Sequence, residues 1–176
     1  YYSNIEEFLI KIVKETFLNA RFFKQRLDPN FNNLLRDQKV PLKLKSWLDF
    51  LNQKEEDSKI IFLDIDLVFK KRPDFFNGNN NSDIFLTLRE GPWPLNTGVI
   101  GTRVNEKTKY LFKIWLSETE KLVKNKKELQ KGLLESGGGS QHTLINILGR
   151  ENLIFKNISK NFNQNIDIGK NKYFNL

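Results

Sequence analysis

The sequence contains no cysteine, no methionine and only one histidine among its 176 residues. Without cysteine it can form neither disulfides nor thiolate metal sites, and cysteine usage says nothing about the redox compartment. No apolar run approaches the roughly 18 residues that cross a bilayer, and no signal-peptide core is present. Because the chain starts at Tyr1 and lacks methionine, we expect it to be a fragment of a longer protein.

Acidic residues are in the minority, and this imbalance gives the chain a net charge of +8. Basic proteins bind nucleic acids, anionic surfaces or phosphorylated substrates. Here the 29 Lys and Arg residues are scattered along the chain, and the densest stretch, 121–131, follows an amphipathic helix. We interpret most of them as a solvated surface. A nucleic-acid-binding domain ranks lowest among the hypotheses, because no nucleic-acid-binding module is recognisable.

The residues that are present are sufficient for one hydrophobic core. Apolar residues make up 39% of the chain and aromatic residues 12%, which argues against disorder. No internal repeat and no linker divides the sequence. We therefore predict a single domain over residues 1–176.

Hydrophobic periodicity predicts two helices in the first third of the chain. Ser3 and Glu6 form a capping-box pattern, and an amphipathic stripe follows from Ile5 to Ala20. Pro41 is predicted to be the first residue of the second helix, where its missing N–H is tolerated. The buried face of that helix is predicted to hold Leu44, Trp47, Leu48 and Leu51.

Two more helices are predicted in the second half. Asn105 is the predicted N-cap of a long helix whose inner face includes Trp115. Residues 136–140, Ser-Gly-Gly-Gly-Ser, are predicted to form a flexible hinge. Ser140 is then predicted to cap a short helix, whose inner face would hold Leu144, Ile145 and Leu148.

Strands are predicted at 59–64, 83–88 and 97–102, with short candidates at 153–155 and 166–168. The first contains four consecutive large apolar residues, which is typical of a strand buried on both faces. Helices and strands in this order predict an α/β fold with a mostly parallel central sheet flanked by helices, as in Rossmann-like domains.

The strand at 59–64 leads into Asp64-Ile65-Asp66, two carboxylates one residue apart. In open α/β folds, the carboxyl ends of the strands border the crevice where ligands bind. Carboxylate oxygens there suit Mg²⁺ or Mn²⁺, which often bridges a protein to a diphosphate. Two solvated carboxylates paired with the basic residues at 70–72 would give the same pattern. The apolar residues 67–69 make this a strand–turn–strand element, and we interpret it as part of a nucleotide-sugar-dependent enzyme.

A second element runs from Trp93 to Gly101 and overlaps the strand predicted at 97–102. Asn96 carries a donor and an acceptor that could hydrogen-bond sugar hydroxyls, and Gly98 allows the backbone to approach a ligand closely. A turn asparagine and a strand-bulge glycine would give the same pattern.

A third element is Gly138-Gly139-Ser140-Gln141-His142. Glycines before a helix can form a mobile flap, and the helix N-terminus favours negative charge. A simple flexible connection is the competing interpretation. His142 has no neighbouring ligand set and is only a minor candidate for a functional role.

Taken in this order, the three elements resemble the GT-A type glycosyltransferases, the DxD-containing superfamily of nucleotide-diphospho-sugar transferases. The resemblance spans about residues 59–148. The matching segments are Phe62 to Asp66 with Pro73, Asp83 to Leu86, Leu95 to Ile100 with Trp115, and Gly139 to His142.

The resemblance implies a metal-dependent transferase of the GT-A fold that uses Mn²⁺ or Mg²⁺. Asp66 would bind the metal directly, and Asp64 would contact the ribose or share the metal through water. The donor would be a UDP- or GDP-sugar and the acceptor a glycan, lipid or protein. The substrate-binding residues implied are Trp93, Asn96, Thr97 and Gly98, and Gln141 would lie near the acceptor.

This chain departs from the family pattern at Ser140, where an acidic residue often precedes the Gln. The family's first, base-binding strand has no counterpart before Ser3, and its late metal-binding His has none in the tail. A domain truncated at both ends would explain these two differences. A non-catalytic carbohydrate- or phosphate-binding relative is therefore the second hypothesis. The sugar, base, acceptor, stereochemistry, compartment and oligomeric state stay open. Retention could use a carboxylate nucleophile, and the candidates for that role are Asp83, Glu90 and Glu135.

Overall fold

The structure is a computed structural model that describes residues 2–16, 21, 23, 34, 36–64, 68–69, 82–88, 95–136, 138–150, 166–169 and 174–175. The elements in chain order are α1 Tyr2–Thr16, α2 Arg36–Asn52, β1 Lys59–Leu63, β2 Val68–Phe69, β3 Ile84–Leu88, β4 Leu95–Arg103, α3 Glu106–Lys124, α4 Lys126–Ser136, α5 Gly139–Arg150, β5 Ile166–Gly169 and β6 Phe174–Asn175. None of the helices in this part of the chain is long and apolar enough to span a membrane.

Four strands form one sheet in the order β1-β4-β3-β5, and β2 pairs separately with β6. β4 runs antiparallel to both β1 and β3, whereas β3 and β5 are parallel. The mixture of helices and strands agrees with the prediction. The predicted mostly parallel sheet is not found among the described strands, because two of the three strand pairs in this sheet are antiparallel. Only six residues, 89–94, connect β3 to β4. Such a link is too short for a crossover helix, so the two strands pair antiparallel.

β4 is the longest strand and the best covered, because it lies between β1 and β3. Its residues 95–102 are all buried. In β1, by contrast, only Phe62 is buried and the other four residues are half-buried. The prediction that β1 is buried on both faces is therefore wrong. Among the described strands β1 pairs with β4 alone, and an edge strand has less cover than a central one.

The core lies between the sheet and the helices α2, α3 and α5. Aromatic rings connect these layers: Trp47 of α2 stacks on Phe62 of β1 with centroids 4.7 Å apart. Phe112 of α3 lies 5.6 Å from Phe62 and 5.5 Å from Trp115. Edge-to-face and tilted contacts of this kind add to the stabilisation from burial. The other buried members of the core are Leu44, Leu51, Ile84, Leu86, Leu95, Ile100, Val104, Leu111, Leu144, Ile147 and Leu148.

The helix ends agree with prediction where the capping signal is strong. Asn105 caps α3: its side chain accepts from the backbone N–H of Thr108, whose hydroxyl contacts the Asn105 N–H in return. Pro41, however, lies inside α2 rather than at its first position. There it removes one intrahelical hydrogen bond, and burial of Leu44 and Leu51 on the same helix offsets that loss.

The first helix differs from prediction in two ways. α1 begins at Tyr2, so Ser3 lies inside the helix and does not cap it. Phe8, part of the predicted apolar stripe, is 55% exposed, whereas Val13 is buried. The C-terminal part of that stripe, from residue 17, lies outside the described residues.

The predicted hinge at 136–140 is mostly helical. Ser136 ends α4 and Gly139 begins α5, so Ser140 lies in the first turn of α5 rather than at its cap. Gly139 is buried, and a Cβ built on it would lie 3.4 Å from Leu129 Cδ1. This turn therefore packs closely against the neighbouring helix. The strand predicted at 166–168 is confirmed as β5, and the candidate at 153–155 lies outside the described residues.

Candidate functional site

Three segments that are far apart in sequence meet at one end of the sheet. The backbone N–H of Asp64, just after β1, donates to the carbonyl of Gly98 at 2.8 Å. The backbone N–H of Thr97 donates to Gln141 Oε1 of α5 at 3.4 Å. The structure thus brings together Asp64, the Asn96-Thr97-Gly98 segment and Gln141.

A bulge in β4 shapes this end of the sheet. Leu86 pairs with Ile100 and the next residue, Thr87, pairs with Asn96, so residues 97–99 of β4 have no counterparts on β3. The Thr87 hydroxyl lies 2.9 Å from the Val99 carbonyl and 3.3 Å from the Asn96 carbonyl. Bulges redirect side chains and are common beside active sites. This one presents Thr97 to α5.

Asn96 stabilises the bulge from within. Its Oδ1 accepts a hydrogen bond from the Gly98 N–H at 2.6 Å, and its side chain is buried. This contact agrees with the interpretation of Asn96 as a turn residue whose side chain hydrogen-bonds to the nearby backbone. Asn96 therefore shapes the loop that carries Thr97 and Gly98.

Asp64 faces a lysine that sequence reasoning did not identify. Lys43 Nζ of α2 lies 2.5 Å from Asp64 Oδ1, and the two side chains are 33% and 42% exposed. The same ammonium lies 4.6 Å from the centroid of the Trp47 ring, a cation–π distance. The strand end therefore carries a carboxylate and a cation side by side, both within reach of solvent.

The spacing between Lys43 and Trp47 in the sequence could have indicated that Lys43 lies at the edge of the core. Lys43 precedes Trp47 by four residues, which places the two side chains on the same side of a helix. Trp47 belongs to the predicted buried face, so a lysine beside it has to reach along the core to its edge. The partner at that edge depends on the tertiary packing of α2 against β1, which the local pattern does not contain.

Ser140 lies in the first turn of α5 and contacts both β4 and α3. Its hydroxyl lies 3.4 Å from the Thr97 hydroxyl. Its carbonyl accepts a hydrogen bond from the indole N–H of Trp115 at 2.8 Å. The first turn of α5 thus presents a hydroxyl and an amide to β4. Both groups are neutral.

His142 lies inside the protein rather than on its surface. Its side chain is buried against Gly132 of α4, where an added Cβ would come within 2.9 Å of the imidazole Cγ. Its Nε2 lies 2.9 Å from Asn146 Nδ2. These contacts give His142 a packing role between α4 and α5.

Asp83 lies at the other end of the sheet. Its carbonyl accepts from the Arg103 N–H, whereas Asp64 pairs with Gly98. Gly98 and Arg103 are five positions apart along β4, a distance of about 16 Å at ~3.3 Å per residue. The Asp83 carboxylate accepts from Asn105 Nδ2 at 2.7 Å, next to the start of α3. Asp83 is therefore not placed to act on a substrate bound beside Asp64.

Several predicted residues lie outside the described part of the chain. They are Asp66, Trp93 and Glu90, and the predicted roles of the first two stay predictions. Glu135 lies in α4, and its side chain is not among those described.

Few of the described side chains could bind a metal ion. Within the described residues, no three His, Cys, Asp or Glu side chains form a group that could hold a metal ion. Mg²⁺ is commonly bound by one or two carboxylates together with water and substrate phosphates, without a complete protein cage. The half-exposed Asp64 carboxylate fits that mode of binding, although Lys43 already contacts its Oδ1.

No family model matches the chain. No curated protein matches it. Among solved structures, it is similar to a glycosyltransferase involved in the glycosylation of the major capsid of PBCV-1. The identity is 11% and the TM-score 0.49, over 97% of this chain and 76% of that one. Similarity at this level does not carry an argument about function.

Proposed function

We propose that this chain is a metal-dependent glycosyltransferase that moves a sugar from a nucleotide-diphosphate donor to an acceptor hydroxyl. The observation that carries the proposal is the convergence of the three motifs. Asp64 contacts Gly98, and the adjacent Thr97 contacts Gln141. Chance motif matches scattered over a sequence would have no reason to meet at one end of one sheet.

In this proposal Asp66 holds Mg²⁺ or Mn²⁺, and Asp64 contacts the ribose or shares the ion through water. When bound, the ion neutralises the negative charge that develops on the departing nucleoside diphosphate. Lys43 is a second positive group beside Asp64. Its ammonium is partly exposed and carries several N–H donors, so it would contact the same phosphates.

The other side of the site would recognise sugar. Thr97 and Ser140 contribute hydroxyls, which both donate and accept hydrogen bonds, and Gln141 contributes an amide. Such neutral groups match the hydroxyls of a donor sugar or of an acceptor. We assign Thr97 and Gly98 with Trp93 to the donor sugar, and Gln141 to the acceptor side. The acceptor would be a glycan, lipid or protein.

Release of nucleoside diphosphate tests the proposal without knowledge of the acceptor. The chain is incubated with UDP- and GDP-sugars and MnCl₂, and free UDP or GDP is measured with time. We expect release from one donor class in the wild type. Asp66→Asn should lower the rate about 100-fold or more, because the ion loses its ligand.

Asp49→Asn is the matched control. Asp49 is an exposed carboxylate that pairs with Lys45 on the outer side of α2, so this variant should retain the wild-type rate. Equal release by the wild type and Asp66→Asn would contradict the proposal.

A non-catalytic carbohydrate-binding relative is the second candidate, and the neutral contact between Ser140 and Thr97 favours it. A carboxylate is missing where the family pattern has one. This candidate predicts donor or sugar binding in calorimetry with no release of nucleoside diphosphate. If a Ser140→Asp variant releases nucleoside diphosphate and the wild type does not, the missing carboxylate at position 140 accounts for the lack of activity.

A further inference from the structure

Two buried polar side chains of α3 reach the first turn of α5. The Trp115 indole N–H donates to the Ser140 carbonyl at 2.8 Å. The Thr119 hydroxyl lies 2.7 Å from the Thr143 hydroxyl. Trp115 and Thr119 are 1% and 0% exposed, and four residues separate them, which places them on one side of α3.

The direction of the second contact follows from its neighbours. The Thr143 hydroxyl also lies 3.1 Å from the carbonyls of Gly139 and Ser140. A carbonyl only accepts, so the Thr143 hydrogen points to one of these two oxygens. Thr119 is then the donor to Thr143. Both donors from α3 thus connect, directly or through one hydroxyl, to carbonyls of the same turn.

These hydrogen bonds fix the position of the first turn of α5 relative to α3, in addition to burying surface. Apolar contacts have no fixed direction, whereas a hydrogen bond is directional, and a buried donor that loses its acceptor is left unsatisfied at a cost in free energy. The turn held in this way is the turn that contacts β4. Its Ser140 hydroxyl and Gln141 amide lie 3.4 Å from the hydroxyl and the backbone nitrogen of Thr97, respectively.

We propose that Trp115 and Thr119 are positioning residues that hold Ser140 and Gln141 against Thr97. Their effect on catalysis rests on the proposed function, but their effect on the position of α5 does not. A displacement of about 1 Å at a reacting centre can lower a rate 100-fold. A side chain in the middle of α3 would in this way set the geometry of a site that it does not touch.

The test uses Trp115→Phe, which removes the indole N–H, and Thr119→Val, which removes the hydroxyl at nearly constant volume. Phe112→Leu is the control, because it weakens the same core from the same helix. Amide hydrogen exchange of residues 142–144 is measured together with nucleoside diphosphate release and UDP or GDP binding. Those amides report on the first turn of α5, since the His142 N–H donates to the Gly138 carbonyl.

We expect exchange at 142–144 to rise about tenfold more in Trp115→Phe and Thr119→Val than in Phe112→Leu. Release should fall about tenfold or more in the same two variants. Manganese-dependent nucleotide affinity should stay within about twofold of the wild type, because α2 and β1 form the Asp64 side of the site.

Exchange at 142–144 no faster in the two variants than in Phe112→Leu would overturn the positioning role, whatever the activity. If amide exchange at 142–144 is faster in the two variants but the release of nucleoside diphosphate is unchanged, the proposed effect of Trp115 and Thr119 on catalysis is wrong. A wild type that neither binds nor releases nucleotide would refute the proposed function, and the exchange comparison would still decide the role of Trp115 and Thr119.

Discussion

Lys43 Nζ of α2 lies 2.5 Å from Asp64 Oδ1 at the end of β1. This pair joins the helix that carries Trp47 to the strand end that carries the first predicted site carboxylate. Since Trp47 also stacks on Phe62, the core fixes the base of the lysine side chain while its ammonium reaches the edge of the sheet. The result is a positive group at the place where the proposal requires a diphosphate.

Replacing Lys43 by Met should lower the affinity for UDP or GDP about tenfold. The change removes one positive charge beside the phosphates and keeps most of the aliphatic packing on Trp47. Stability should change by less than about 1 kcal/mol, because both partners are partly exposed. Isothermal titration gives the affinity, and urea denaturation gives the free energy of unfolding.

Lys45→Met is the control for this experiment, since Lys45 pairs with Asp49 on the exposed side of the same helix. It should leave nucleotide affinity unchanged. An equal loss in both variants would mean that net charge, and not the position of Lys43, governs binding.

Gly132→Ala should destabilise the protein by about 1–2 kcal/mol, although alanine favours helices. The new methyl group would come within 2.9 Å of the buried His142 ring and force α4 and α5 apart. Gly138→Ala is the matched control, because nothing lies within 4 Å of a Cβ built there. It should be neutral or stabilise by up to about 1 kcal/mol. Thermal and urea unfolding of the two variants check the order, and a more stable Gly132→Ala would contradict the packing of α4 on α5.

Asn105→Asp should be less stable than Asn105→Ser, although Asp and Ser are both good N-caps. Asn105 Nδ2 donates to the buried Asp83 carboxylate at 2.7 Å. A second carboxylate there would repel the first by about 1–4 kcal/mol. The measurement is the free energy of unfolding of the two variants at neutral pH. Equal stabilities would mean that Asp83 does not interact with the cap of α3.

Local signals in the sequence were sufficient for several elements. The Asn105 cap and the positions of β1 and β3 are found close to where local signals predict them. On the predicted inner face of α2, Leu44 and Leu51 are buried, and Trp47 and Leu48 are half-buried against the core. The first turn of α5 differs because the glycine-rich composition of 136–140 suggests flexibility. In the structure Gly139 is buried beside Leu129 and begins α5.

Strand orientation and side-chain partners depend on contacts between distant segments. The short link between β3 and β4 could have indicated their antiparallel pairing, but hydrophobic pattern alone does not distinguish it from a parallel sheet. The partner of Lys43 and the bulge at 97–99 arise only when α2, β1 and β4 pack together. At the candidate site the structure adds Lys43 beside Asp64 and the contact between Trp115 and Ser140, and neither contact is contained in the local sequence pattern.

The most direct measurement is isothermal titration of the chain with UDP and with GDP, with and without MnCl₂, repeated on Asp66→Ala. The proposed function predicts binding of one of the two diphosphates that requires manganese and disappears in the variant. A folded wild-type chain that binds neither diphosphate in the presence of manganese would contradict it.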